Sequence, residues 1–421
     1  MSTLAASARL VDSRPARVCC LDLDTFFVSV ERLLDPRLRG KAVVVGGLKG
    51  GRGVVTSASY EARVFGVRSG ISIRDASALA PDAIFLHGHH EHYTDYSQRA
   101  REIVERFSPV VVAASIDEQY VDFLGCESLY RNPEDADDDA TILRVVHTMT
   151  RTIDDELGLP ASAGVATSKS LAKVACTLAK PRGVRFVRPG EEEAFLAPLP
   201  VRKLPGIGPV SEAKLARAGV VTLAELVRAP DAILRPIFGA YTAGIRRDAR
   251  GLGPADLGRE RPAFREHDPR GLSLGSISNE RTFAEISARD TASILCGLCE
   301  RVCARARSRG VRAGCVTLRL RYTDFETITR SRTIAPSNVD VEIHGAVLAL
   351  YRRARTRRLH VRLLGVALSH LSLEGPQLEL PTLDGGARRA RTVDAVREKY
   401  GYHAVHLATT LERKGSRRGA R

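Results

Sequence analysis

No run in the 421 residues approaches 18 consecutive apolar positions, so the sequence offers no segment able to cross a bilayer as a helix. The opening stretch, MSTLAASARLVDSR, lacks the basic start, apolar core and cleavage site of a secretory signal. The expected location is cytoplasmic, with no membrane partner. In that compartment the eight cysteines are read as thiols. Cys296, Cys299 and Cys303 share one helix face with Leu295 and Val302. No fourth Cys or His follows at a zinc-like spacing, so they read as small core hydrophobes. His87, His89, His90 and His92 follow a Pro-Asp turn and read as surface histidines. Hydrophobic residues are 44% and charged residues 27%, which excludes wholesale disorder. At about 100–200 residues per domain, the length calls for more than one domain.

What the chain has in excess is positive charge. Lys+Arg is 64 against Asp+Glu 49, a formal +15 and a pI near 9.8. The excess is not evenly spread. Residues 261–421 carry 30 basic and 16 acidic side chains, whereas residues 1–260 carry 34 and 33. A compositional bias toward arginine would explain Arg over Lys but not this asymmetry. A nearly neutral part followed by a strongly basic part points to nucleic acid as a partner.

Along the chain, VCCLDLD (18–24) reads as a buried strand ending in acids, and TFFVSVERLLD as a helix. KAVVVGG reads as a strand closed by the Gly-rich GGLKGGRG, and YEARVFGV as a short helix ending near Gly66. Residues 93–107 read as an amphipathic helix, and PVVVAASIDEQYVDF (109–123) as two strands meeting near SIDE. TILRVVHTMTRTIDDELG is a helix, ASAGVAT a strand, and SKSLAKVACTLAK a helix stopped by Pro181. Residues 18–187 are therefore a layered mix of strands and helices.

From about 190 short helices take over. LPGIGPVSEAKLARAGV places Gly206 and Gly208 in a turn between helical segments, where backbone N–H groups can approach a phosphate closely. A purely structural tight turn is the other reading. Residues 255–272 are polar and rich in Pro and Gly, as a linker is. GCVTLRLRYTDF then alternates, with Val316, Leu318 and Leu320 on one face and Thr317, Arg319 and Arg321 on the other. HVRLLGVALSHL is a further strand, and YRRARTRRLH adds five arginines. A sheet with arginine at period two on its open face suits a duplex backbone.

Two acidic groups carry the chemistry. Asp22 ends one apolar strand, and Asp117-Glu118 ends another apolar segment. Carboxylates there need compensation, and divalent cations with oxygen ligands are one form of it. Adjacent strand residues face opposite ways, so Asp117 and Glu118 share a site only where the strand breaks into a turn. Caps or surface turns are the other reading of the same spacing.

The runs CLDLDTFFVSVE, TSASYEARVFGVRSG, ASIDEQYVDF, SAGVATSKSLAKVACTLAKPRG and KLPGIGPVSEAKL add specificity. In this order and spacing the chain resembles the Y-family of translesion DNA polymerases, in its bacterial DNA polymerase IV branch, over about residues 17–371. The resemblance implies an α+β multidomain right-hand polymerase. Its parts are an N-terminal extension (1–16), a palm (17–26 and 90–187), fingers (27–89), a helical thumb with a helix-hairpin-helix (188–254), the linker (255–272), a C-terminal α/β little finger (273–372) and a tail (373–421). It implies template-directed, error-prone translesion synthesis from dNTPs on primer-template DNA, with two Mg²⁺ per active site and no proofreading exonuclease.

Residue by residue, it implies that Asp22, Asp117 and Glu118 bind metal, with Glu118 catalytic and the Leu23 carbonyl nearby. Phe27 matches the steric gate that excludes a 2′-hydroxyl; a core aromatic is its other reading. Ser57, Tyr60, Arg63 and Lys180 match positions contacting the incoming triphosphate. Lys173 faces the same segment with its role open, and Asp24 is set aside as a ligand. Gln119 stands where the family often has Ala. Gly206, Gly208, Arg319 and Arg321 are the expected DNA contacts. In the tail, QLELP resembles a sliding-clamp peptide, with Gln377, Leu378 and Leu380 as anchors, although some 40 residues follow it. A monomer is expected. Two rivals are a catalytically silent homologue binding DNA and clamp, and a two-metal nuclease. The intact acid set argues against the first, and the gate and triphosphate positions against the second.

Overall fold

The computed structural model describes residues 15–51, 53–257, 275–286, 291–373 and 385–405. The chain divides into two compact units, residues 1–261 and 262–421. The clamp-like residues Gln377, Leu378 and Leu380, and the linker from residue 258 on, lie outside the described residues.

The first unit is built on strand β1 (Val18–Leu23), whose residues other than Asp22 are apolar on both faces. Their side chains alternate between two cores. Cys19, Leu21 and Leu23 join one cluster, and Val18 and Cys20 join the other. A strand buried on both sides belongs at the centre of a sheet. β1 does lie there, flanked antiparallel by two later strands.

A separate small sheet forms from β2 (Val43–Val45), β3 (Ser57–Ala58) and β4 (Ile84–Leu86), in the order β3-β2-β4. The main sheet is completed by β5 (Val111–Ala113), β6 (Glu118–Asp122), β7 (Ala161–Ala166) and β8 (Val184–Phe186), in the order β5-β6-β1-β7-β8. Helix Asp138–Leu157 places Ile142, Val145, Val146, Met149 and Ile153 against the first core. Helix Lys169–Ala179 places Leu171, Ala172, Val174 and Ala175 against the second. It sits unusually close to the sheet because β7 carries Gly164. A Cβ there would lie 2.2 Å from Cys176 N and 2.3 Å from Ala172 O, a distance no side chain tolerates.

Short helices occupy residues 192–249. In their midst the turn LPGIG folds with Gly206 at φ 93°, a region open to glycine, and Gly208 as N-cap of helix Pro209–Arg217.

The second unit is a four-stranded antiparallel sheet of β9 (Ser276–Ile286), β10 (Val311–Tyr322), β11 (Thr327–Ser337) and β12 (Val361–Leu373), in the order β11-β10-β12-β9. β10 alternates as its sequence predicts, with Val316, Leu318 and Leu320 buried. Helix Thr291–Arg307 packs beneath it, with Cys299 and Cys303 in the core and Cys296 buried beside them. A helix over Gly385–Tyr400 covers part of that helix. It is fixed by the buried ion pair Arg397–Glu300 at 3.1 Å and by the two-pronged pair Arg307–Asp394 at 2.5 and 2.9 Å. The sequence marks only a small amphipathic segment at 394–405; the helix begins nine residues earlier.

Candidate active site

Register brings the two acidic segments together. Asp22 on β1 faces Glu118 on β6 as a direct cross-strand partner. Asp117 lies just before β6, and its carbonyl accepts a hydrogen bond from Leu23 N at 2.9 Å. The chain breaks into a turn at Ser115, whose hydroxyl donates to Asp117 Oδ1 at 2.5 Å and accepts from Glu118 N at 3.1 Å. The chain breaks where neighbouring acids need a turn if they are to share a site.

The cross-strand pair carries two ammonium groups. Lys180 donates to Asp22, and Lys173 Nζ lies 2.5 Å from Glu118 Oε2. Burial pushes the Asp22 carboxyl up to about 6; Lys180 opposes that shift, and the negative charges of Asp117 and Glu118 add to it. Burial alone would lower Lys180, but Asp22 and Asp24 hold it above its ordinary value. At pH 7 the Asp22–Lys180 pair is therefore mostly ionised on both sides. Among the described residues no three Asp, Glu, His or Cys groups converge as a cation cage. The donor set nevertheless fits a hard divalent cation: carboxylate oxygens at strand ends, whose charge two ammonium groups already offset.

Asp24 has a different role. Its carboxylate is 1% exposed and filled. Ser162 Oγ and Arg182 N each donate at 2.7 Å, and Tyr60 OH donates at 3.3 Å. This tie joins β1, β7, the loop after Lys180 and the helix Tyr60–Val64.

Between β1 and helix Phe26–Leu34 the chain turns through Thr25, at φ 45° and ψ 43°. A β-branched residue rarely adopts that conformation, and holding it there costs about 1–3 kcal/mol. The turn directs Phe27 toward the acids. Its ring stacks on Tyr93 with centroids 4.2 Å apart and planes 11° from parallel, and His90 meets it edge-on at 5.7 Å. Tyr93 in turn donates to the buried carboxylate of Glu31. His89 Nδ1 also contacts Glu31, at 3.0 Å, although its ring is largely exposed. The histidine stretch thus does more than decorate the surface. Sequence reasoning missed Glu31 and Tyr93; an acid on the apolar helix FFVSVERLL was the available signal.

One small pocket is lined by Asp22, Leu23, Phe27, Ser57, Arg63, Asp117 and Lys180, with Thr25 and Thr56 among its remaining walls. Ser57 is buried on β3. Arg63 stays anchored, donating from Nε to Ala58 O at 3.1 Å, with its guanidinium 4.9 Å over the Tyr60 ring. Tyr60 reaches the same region through Asp24; burial, then the Asp24 charge, hold its hydroxyl above the ordinary range. Glu118 is not among the residues lining that pocket; it stands beside Asp22 across the β1–β6 pair. Gly206 and Gly208 stand elsewhere, at the turn before helix Pro209–Arg217.

In the second unit, Arg319 and Arg321 leave the outer face of β10. Arg319 pairs with Glu280 at 3.0 Å, and Arg321 Nε donates to Thr327 Oγ1 at 2.8 Å.

Three family models match the chain. They are the impB/mucB/samB family over residues 21–177, its HHH motif over 189–220 and its C-terminal domain over 275–380. Among curated relatives, the DNA polymerase IV of Dehalococcoides mccartyi (strain CBDB1) is 36% identical over 403 residues, covering 94% of this chain and 98% of that protein. The DNA polymerase IV 2 of Mesorhizobium japonicum is 37% identical over 417 residues, with 94% of each covered. Among solved structures, a chimera of the Y-family DNA polymerases Dbh and Dpo4 superposes with a TM-score of 0.70 at 23% identity, covering 85% of this chain and 99% of that one. An insertion ternary complex of Dbh DNA polymerase gives 0.61 at 24%, covering 84% and 98%.

Proposed function

The chain belongs to the impB/mucB/samB family of Y-family DNA polymerases, and on that premise we propose how its residues perform template-directed synthesis. It is a DNA-directed DNA polymerase of the translesion kind, acting on DNA and dNTP with divalent metal. The observation that carries the assignment of residues is the cross-strand pair Asp22–Glu118, with Asp117 at the adjoining turn, beside a pocket walled by Phe27, Ser57, Arg63 and Lys180.

In this reading Asp22, Asp117 and Glu118 hold two Mg²⁺ ions, with Glu118 the catalytic carboxylate. When bound, the ions supply charge stabilisation for in-line displacement at the α-phosphate. The protein's own contribution is mostly position. Ser57, Tyr60, Arg63 and Lys180 orient the triphosphate; Lys180 is a point charge that can trade Asp22 for a phosphate oxygen. Phe27, held flat by Tyr93, closes the space beside the sugar, so a 2′-hydroxyl would clash with the ring.

Gly206 and Gly208 offer backbone N–H groups to a DNA phosphate. Arg319 and Arg321 grip the duplex backbone without reading sequence, so binding weakens with salt. The palm (17–26 and 90–187), fingers (27–89), thumb (188–254), linker (255–272) and little finger (273–372) follow as the working parts of a cytoplasmic monomer. In the tail (373–421), QLELP contacts a sliding clamp through Gln377, Leu378 and Leu380. The test is extension of a labelled primer by the purified protein. Template-directed addition of dNTPs, stopped by a chelator and restored by Mg²⁺, is the expected result. Release of nucleotides without dNTP, or no extension, would overturn the reading.

A further inference from the structure

One helix brings two ammonium groups to a facing pair of carboxylates. Lys173 lies within helix Lys169–Ala179, and Lys180 ends it seven residues later, two turns on and on the same side. Their partners, Glu118 and Asp22, are register neighbours on β6 and β1. Like charges placed directly opposite each other destabilise a sheet, so both carboxylates need a cation before any metal arrives. The close seat of the helix over Gly164 lets the two lysines reach. Asp117 is supported differently, by the Ser115 hydroxyl at 2.5 Å.

Lys180 is accounted for by the triphosphate; Lys173 is not. Its ammonium sits 2.5 Å from Glu118 Oε2, yet its side chain is 41% exposed while that of Glu118 is 11% exposed. The amine therefore reaches in from the solvent side and has a hydrated position to return to.

We propose that Lys173 is a positioning residue that serves Glu118 as an internal counter-ion and competes with divalent cation for that carboxylate. This rests on the reading of Asp22, Asp117 and Glu118 as metal-binding groups. With no metal bound, Lys173 offsets the charge of the Glu118 carboxylate and holds its position beside Asp22. With a divalent ion held beside the carboxylate, the Lys173 ammonium would be repelled and would turn outward to water. The acid set is thus held open at some expense in metal affinity, and tight metal binding waits until substrate phosphates add their own ligands.

The test measures metal binding directly, by the Mn²⁺ paramagnetic resonance signal, on the full chain without DNA or dNTP. Lys173→Met keeps the stem and removes the charge, and Lys173→Gln does so with a different shape. Both are expected to bind Mn²⁺ about two- to fivefold more tightly than the natural protein, the range of one partly exposed ion pair. Both are also expected to melt at lower temperature in chelator and to gain more from added metal. Lys173→Arg, which keeps the charge, is expected to restore near-natural affinity. Unchanged or weaker Mn²⁺ binding in the two neutral variants would overturn the proposal, because a merely structural lysine lowers affinity when lost. Asp22→Asn together with Asp117→Asn separates the two ideas. If Mn²⁺ binding survives that double change, the metal assignment itself fails, whatever Lys173 does.

Discussion

Phe27 lies flat on Tyr93, with ring centroids 4.2 Å apart and planes 11° from parallel, and the Tyr93 hydroxyl is tied to the buried Glu31. A stack of this kind contributes about 0.5–1.5 kcal/mol beyond burial and holds the partly buried Phe27 ring against its fully buried partner. Phe27→Ala is expected to raise ribonucleotide incorporation relative to deoxyribonucleotide at least tenfold, roughly the effect of one 1.4 kcal/mol discrimination lost. Tyr93→Ala is expected to move the ratio in the same direction by less, and Tyr93→Phe to leave it nearly unchanged. Single-nucleotide insertion with each sugar gives the ratio. A Phe27→Ala protein that still rejects ribonucleotides would remove the gate assignment.

Asp24 is the most enclosed acid at the site, held by Ser162, Arg182 N and Tyr60. Asp24→Ala leaves the buried Ser162 hydroxyl without its acceptor, at about 1–3 kcal/mol, and two partly buried donors besides. The expected outcome is a clear drop in Tm of the first unit, seen by calorimetry in chelator as well as in Mg²⁺. A variant with unchanged Tm but lost metal binding would instead make Asp24 a ligand.

The Asp22 carboxyl, pushed up to about 6 by burial, sets a pH dependence. A native acid that holds its proton to higher pH than the unfolded chain loses stability as pH rises from about 4 through 6, because ionisation is easier once unfolded. Metal binding reverses that loss, since the cation prefers the ionised form. The rise in Tm produced by Mg²⁺ is therefore expected to be larger at pH 8 than at pH 5, and Asp22→Asn to flatten the difference. An equal gain at both values would contradict the assignment.

In the sequence, QLELP falls after the residues of β12 and before those of helix Gly385–Tyr400. Replacing Leu378 and Leu380 by Ala is expected to abolish stimulation of synthesis by a loaded clamp while basal extension stays within about twofold, since a docked peptide acts by raising local concentration. Stimulation that survives both changes rules the peptide out.

Much of this was legible in the sequence because the signals were local. The apolar run of β1, the alternation in β10 and the Pro181 stop of helix Lys169–Ala179 each fixed an element without reference to the rest of the chain. The acids were legible as candidates, but their pairing was not. That Asp22 faces Glu118, and that Lys173 and Lys180 answer them, depends on register between strands nearly a hundred residues apart and on the close helix seat at Gly164. Glu31 was invisible for a related reason: an acid in an apolar helix acquires meaning only when Tyr93 and His89 arrive from a distant segment. The docking of Gly385–Tyr400 rests on Arg397–Glu300 and Arg307–Asp394, pairs about 90 residues apart, whereas the sequence marks only the small amphipathic segment at 394–405.

The central claim is that Asp22, Asp117 and Glu118 are the groups through which this polymerase acts, and single-turnover primer extension by Asp117→Ala tests it most directly. Asp117 stands at the turn, supported by one hydroxyl, whereas Asp22 lies within the central strand, so the loss of Asp117 is the least disruptive to the fold. The account predicts extension slowed by about a hundredfold or more, with primer-template affinity and Tm in chelator close to those of the natural protein. Extension at the natural rate would contradict it.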